Sequence, residues 1–213
     1  MRFVAGQRVV SLSVRELASF EAGPSAEARG AGAWRALVGA QAHRAVQAEP
    51  VAGDLHRRAE VPITGTLRVA SWQVQLEGRI DMVDTALDGA TTLIEFKTVG
   101  GKLPREPEEL AAAYAAYFDQ LALYLALARL QPALVEARDA SALTGELWFE
   151  GIEDGFRQRV PLSLSTAEGR AQRRLAAVEP FLEQRWTHTQ RLAEGPAPVA
   201  FPALRDGQAE ALA

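Results

Sequence analysis

The chain has 213 residues, of which 48% are hydrophobic, enough for one substantial core. A formal net charge of −4 gives no global basic field, which counts against nucleic-acid binding by charge alone but leaves room for an acidic metal site. No cysteine occurs, so disulfides, zinc–thiolate sites and iron–sulfur clusters are excluded.

No apolar run reaches the ~18 residues of a membrane span. The opening MRFVAGQRVV lacks the apolar stretch of a signal peptide, so the expected location is cytoplasmic, with no membrane partner. Phe3 to Leu12 reads as a loop or edge strand. Ser13-Val14-Arg15-Glu16 fits a capping box and predicts a short helix with Val14, Leu17 and Phe20 inward. The stretch from Ala22 to Gly32, rich in Gly, Ala and Ser, reads as a loop. From Ala33 to Ala48 apolar residues recur at helical spacing (Trp34, Leu37, Val38, Ala42, Ala45, Val46), and Gly39 lies one turn before His43, leaving room for a close neighbour. A lone His on a helix is more often a bland surface or core residue than a catalytic one.

Glu60 to Thr98 reads as three β segments in meander order. Glu60 opens them, either as a further acid near a site or, as is commoner, as an exposed strand-end residue. Within the last two segments Asp81 lies on one apolar run and Glu95 and Lys97 on the next, with an Asp88-Gly89 turn signal between. Side chains alternate along a strand, so Glu95 and Lys97 share one face, while Ile80, Met82, Ile94 and Phe96 share the other. Directly opposed residues of an antiparallel hairpin keep a constant index sum, and pairing Asp81 with Glu95 centres the turn on Asp88. That register requires a three-residue loop, Leu87-Asp88-Gly89, with Gly89 left-handed in a G1 bulge. A two-residue Asp88-Gly89 loop would turn Asp81 to the wrong face.

After Thr98 comes a loop carrying Lys102 and Arg105. Pro107, Glu108 and Glu109 then suit the start of a helix predicted to run on to about Gln131, with Tyr117, Gln120 and Tyr124 on one stripe. Tyr at helical spacing usually belongs to a core; a buried Gln120 is less ordinary, because its amide must find partners. Gly145–Gly151 and Phe156–Leu162 read as two strands joined by an Asp154-Gly155 turn. Ser165-Thr166-Ala167-Glu168 repeats the capping pattern and predicts a helix to about Thr187, with Leu175, Val178, Phe181 and Leu182 inward and Arg170, Arg173 and Arg174 on a solvated face. The Pro- and Ala-rich tail from Glu194 reads as a linker. The expected division is thus 1–193 and 194–213.

Two carboxylates on adjacent strands suit a hard divalent cation, which takes oxygen ligands and keeps waters for a phosphate. A Lys two residues beyond the second acid can hold or deprotonate an attacking water and balance developing charge. Alone, an Asp followed by a Glu-x-Lys also fits a cross-strand ion pair worth under ~1 kcal/mol.

The ordered set Gly39-x3-His43, Gly78-Arg79-Ile80-Asp81, Ile94-Glu95-Phe96-Lys97-Thr98 and Gln120-x3-Tyr124, on helix, strand, strand and helix, resembles the RecB-like branch of the PD-(D/E)XK nuclease superfamily across roughly Ala33 to Arg129. The resemblance implies an α/β fold with a central mixed β-sheet flanked by helices, a restriction-endonuclease-like core. It implies Mg²⁺ or Mn²⁺ held by Asp81 and Glu95, with His43 as a further ligand or site residue, and Lys97 as catalytic lysine. Gln120 and Tyr124 would face the site and help position substrate or Lys97, and the substrate would be DNA, single-stranded or frayed. Some relatives clamp this domain with four cysteines around an iron–sulfur cluster; this chain resembles the cluster-free subset. The segment Phe201-Pro202-Ala203-Leu204-Arg205-Asp206-Gly207-Gln208 is similar to the opening of DinG- and XPD-like helicase domains, which implies a helicase partner C-terminal to this segment. A catalytically silent module that binds DNA or docks a helicase, and a structural domain with a fortuitous motif, are the competing readings.

Overall fold

The structure is a computed structural model that describes residues 1–21, 33–50, 54–131, 134 and 142–194. The Ala22–Gly32 loop, the side chains of Trp34, Leu37 and Val38, and the helicase-like tail lie outside the described residues. The chain forms two compact units, Met1–Glu179 and Pro180–Ala213.

The strands are β1 (Arg2–Phe3), β2 (Val9–Ser13), β3 (His56–Val69), β4 (Trp72–Thr85), β5 (Thr91–Val99), β6 (Leu143–Gly151) and β7 (Arg157–Leu162). The helices are α1 (Val14–Ala18), α2 (Ala33–Gln47), α3 (Pro107–Ala113), α4 (Ala115–Arg129) and α5 (Leu164–Glu194). One mixed sheet takes up the strands in the order β1-β2-β4-β5-β6-β7, with β3 paired to β4 off this path. The fold is therefore α/β with a central mixed sheet flanked by helices, as expected.

β4 organises this sheet. Along one edge it pairs antiparallel with β3, from Trp72 to Thr85. Elsewhere it pairs parallel with β2 from Gln73 to Glu77 and antiparallel with β5 from Met82 to Thr85. Gly78 to Asp81 belong to neither of those two ladders, so an opening lies where β2 has ended and β5 has not yet joined.

Helices cover both faces. On one, Val46 and Ala42 of α2 pack on Met82, Ile94, Phe96 and Trp148, and a Cβ on Gly39 would come 2.9 Å from Thr98 Oγ1, the close approach its Gly suggested. Ala45 is exposed. On the other lies α4, buried almost all round from Gln120 to Leu125, as befits a central core helix. Glycines admit it to the sheet: a Cβ on Gly145 would come 2.9 Å from Leu125 Cδ1, and one on Gly65 2.9 Å from Leu127 Cδ2.

Several local expectations hold. The capping box at Ser13 and Glu16 is formed, with Val14 and Leu17 buried. The β4–β5 loop is Leu87-Asp88-Gly89: Ala86 N–H donates to Ala90 O at 2.8 Å, and Gly89 has φ +87°. The resulting ladder sets Met82 against Ile94 and Thr85 against Thr91, the register the turn arithmetic demanded.

Three local expectations need correction. The helix predicted from Glu108 to Gln131 is two, with a 90° bend between α3 and α4. Tyr114, at φ −122° and ψ 35°, breaks it without Gly or Pro. Its ring stacks on Tyr117 and tilts on Phe149, so packing overrides an Ala-rich local preference. The helix α5 starts earlier than Ser165 suggested: Ser163 Oγ accepts from Thr166 N–H, while Glu168 pairs instead with Arg129. Finally, Arg170 and Arg174 are not on a solvated face; both pair with Asp119 of α4, at 2.8 and 3.1 Å, so their charges are committed to helix packing. Among the described residues no single helix is long and apolar enough to cross a membrane.

Candidate active site

The opening beside Gly78–Asp81 gathers the chemistry. Where β5 parts from β4, Phe96 N–H finds the Asp81 carboxylate instead of a strand partner, donating to Oδ2 at 2.8 Å. That leaves Oδ1 free to turn towards α2. Asp81 was expected on the face of Glu95 and Lys97; instead its carboxylate lies in the gap between the strands, accessible to His43 from the other layer.

His43 Nε2 lies 3.6 Å from Asp81 Oδ1 and 3.4 Å from Glu60 Oε1. It is buried yet makes no hydrogen bond. His43, Glu60 and Asp81 can each offer one donor atom within 4.8 Å of the others. Glu60 reaches this group through an unusual backbone: its φ is +53°, and it drops out of a ladder that pairs Ala59 with Met82 and Val61 with Ile80. A non-Gly residue in that region costs about 1–3 kcal/mol and persists where the surroundings enforce it. Gln47, one turn after His43, donates to Glu60 Oε1 at 2.8 Å, and Arg79 donates to Oε2 at 3.3 Å. Partial burial pushes the Glu60 carboxyl up, but the hydrogen bonds from Gln47 and Arg79 and the nearness of His43 outweigh it and hold the group below its usual range. The sequence left Glu60 undecided; only its left-handed backbone brings it into the group.

The second cluster faces α4. Glu95 is 1% exposed, and its Oε1 accepts from Lys97 Nζ at 2.6 Å and Gln120 Nε2 at 2.7 Å. Its Oε2 is buried without a partner. Burial raises the Glu95 carboxyl to about 7 against the pull of Lys97, with Asp81 adding to the rise. Burial likewise raises Asp81, opposed by Lys97, the Phe96 N–H and His43. Gln120, the amide that needed partners, has them in Glu95 and in Tyr124 Oη at 3.3 Å. Tyr124 inserts against the opening itself: its hydroxyl accepts from Arg79 N–H at 3.4 Å, and a Cβ on Gly78 would come 2.6 Å from its ring. Burial, then the Glu95 charge, push the Tyr124 hydroxyl to about 12, so it remains a neutral phenol at any ordinary pH.

The fold thus brings all six motif residues, His43, Asp81, Glu95, Lys97, Gln120 and Tyr124, to one place. Glu95 stands outside the three-residue donor group formed by His43, Glu60 and Asp81. The chemistry of the donors fits a divalent cation: a buried imidazole nitrogen without a hydrogen bond, two carboxylates facing it, and a third carboxylate oxygen with no partner. Sequence reading gave no role to Gln47, whose contact depends on the turn of α2 above β3.

No curated protein matches the chain. Among solved structures, the crystal structure of SSO0001 is similar at 19% identity with a TM-score of 0.45, covering 68% of this chain and 61% of its own, so the present chain spans less than two thirds of that protein. A family model described as the PD-(D/E)XK nuclease superfamily matches residues 7–205, nearly the whole length. The chain therefore belongs to the PD-(D/E)XK nuclease superfamily.

Proposed function

We propose that this domain is a metal-dependent DNA nuclease of the RecB-like, cluster-free branch, an exonuclease acting on single-stranded or frayed DNA and joined to a helicase in DNA repair or processing. The observation that carries the nuclease reading is the convergence, at one opening between β4 and β5, of a donor group on one layer and a Glu–Lys–Gln cluster on the other. The branch, strand preference and helicase partner rest on the motif set and on the resemblance of the tail.

His43, Glu60 and Asp81 are the residues that would hold Mg²⁺ or Mn²⁺, and Glu95 Oε2 is the remaining uncommitted carboxylate oxygen. A bound divalent cation supplies Lewis acidity to a phosphoryl oxygen and lowers the pKa of a bound water. Lys97, the catalytic lysine of this reading, balances charge on the phosphate and orients the attacking water while its ammonium is paired with Glu95. Gln120 locks the Glu95 carboxylate, and Tyr124 ties that lock to the β4 backbone at Arg79.

End-labelled single- and double-stranded DNA, incubated with Mg²⁺, Mn²⁺ or EDTA and resolved on a denaturing gel, tests the reading. Cation-dependent cleavage, lost in Asp81→Ala, Glu95→Ala and Lys97→Ala, is expected. If all three variants cut as well as the parent, the site assignment is wrong.

A further inference from the structure

Lys97 ends in a compact charge on a flexible four-carbon stem, so a contact with Glu95 alone leaves its direction loosely set. The structure supplies a second contact that the motif set does not contain. The Tyr117 ring lies 5.0 Å from Lys97 Nζ, centroid to nitrogen, within the range of a cation–π interaction.

That ring is itself held. Tyr117 stacks on Tyr114 at 5.8 Å with the planes 3° apart, and both tilt on Phe149, at 6.3 and 5.5 Å. Phe149 is the residue of β6 that sits directly beside Lys97 of β5 in the parallel ladder. Phe118 also leans on Phe149, at 6.1 Å. The helix break at Tyr114, which no local breaker requires, falls at the residue whose ring completes this stack. Lys97 thus rises along an aromatic wall, with Glu95 on one side of its ammonium and the Tyr117 ring on another. One of its three N–H donors goes to Glu95 Oε1, leaving the others for a ligand at the opening.

We infer that Tyr117 is a positioning residue for Lys97, restraining the ammonium through the ring face and not through the phenol hydroxyl. The inference rests on the nuclease reading for its catalytic consequence, but the placement itself can be measured without any substrate.

The chain contains only two lysines, Lys97 and Lys102. With ¹³C,¹⁵N-lysine labelling, the side-chain spectrum holds two sets of signals, and Lys102→Arg assigns them. Ring current from a stacked face moves the ε-methylene protons of Lys97 upfield of those of Lys102. This shift is expected in the parent and in Tyr117→Phe, and is expected to vanish in Tyr117→Leu and Tyr117→Met. In cleavage assays kcat should fall roughly 3- to 30-fold in the Leu and Met variants, with KM for DNA and calorimetric Mn²⁺ affinity unchanged, while Phe retains parental kcat. Thermal unfolding identifies a variant that has lost its fold; the second aliphatic variant then carries the comparison. An unshifted Lys97 signal in the parent overturns the inference. So does a shift lost in Tyr117→Leu with kcat unaltered, or a kcat that falls as far in Phe as in Leu. If the parent cleaves no DNA, the nuclease reading fails, and the lysine spectrum alone decides whether the ring holds the ammonium.

Discussion

Asp81 accepts the Phe96 backbone N–H through Oδ2 at 2.8 Å while presenting Oδ1 to His43 at 3.6 Å, so one carboxylate both closes an unpaired strand edge and belongs to the donor group. These roles separate by mutation. Asp81→Asn keeps an oxygen for Phe96 N–H and loses the charge. It should unfold close to the parental temperature while losing at least ~100-fold in cleavage rate, as befits loss of several kcal/mol of charge stabilisation. Asp81→Ala also strands a buried N–H and should lose a further ~1–3 kcal/mol of stability. Thermal melts beside single-turnover cleavage distinguish the two; equal melting temperatures for Asn and Ala would contradict the capping role.

Gly78 is required by its neighbour and not by its own backbone. Gly78→Ala places a Cβ 2.6 Å from the Tyr124 ring and should destabilise by about 1–3 kcal/mol. In combination with Tyr124→Ala the clash with the ring disappears, leaving Val14 Cγ2 at 3.2 Å, so the double variant should be more stable than the sum of the single effects predicts. Urea unfolding of the four proteins provides the cycle, and strict additivity would count against the packing described.

Gly89 tests the register. At φ +87° an Ala is strained, and Gly89→Ala should cost about 1–2 kcal/mol in unfolding free energy. Because the loop parity sets which residues of β4 and β5 oppose one another, shortening Leu87-Asp88-Gly89 by one residue should abolish cleavage even where circular dichroism reports a folded protein.

Glu95 gives a pH dependence. Burial raises it to about 7, above its ordinary value of 4.5, so the folded protein retains a proton that the unfolded chain releases. In metal-free protein its contribution to stability is fully present below about 4.5 and is lost as pH rises through about 7. Melts in EDTA should therefore show a decline in stability across that window, and Glu95→Gln should flatten it. An unchanged slope in Glu95→Gln would locate the titration elsewhere.

The hairpin was the most legible part of the sequence because it is local. The parity of a loop and one Gly determine the register of β4 against β5 from Thr85–Thr91 to Met82–Ile94, while the turn of the Asp81 carboxylate into the gap beyond that ladder was not legible. The capping box at Ser13 is legible for the same reason. Glu60 and Tyr117 were not legible in this sense. Glu60 joins His43 and Asp81 only because its backbone turns left-handed between two ordinary ladder residues. Tyr117 meets Lys97 only because α4 lies across β5 and β6, a long-range arrangement that helical spacing does not encode. The same applies to the bend at Tyr114, where ring packing defeats a sequence with every local reason to continue as helix, and to Arg170 and Arg174, whose partner Asp119 lies on another element.

The interrupted edge of β4 has a consequence for assembly. A carboxylate that must wait for an ion to fix its orientation loses rotamer freedom when the ion arrives; Asp81 has already lost it to Phe96 N–H during folding. By leaving four residues of β4 without a partner on the edge away from β3, the sheet sets the direction of this carboxylate in advance, so that loading the proposed site need not reorganise the strand that carries it.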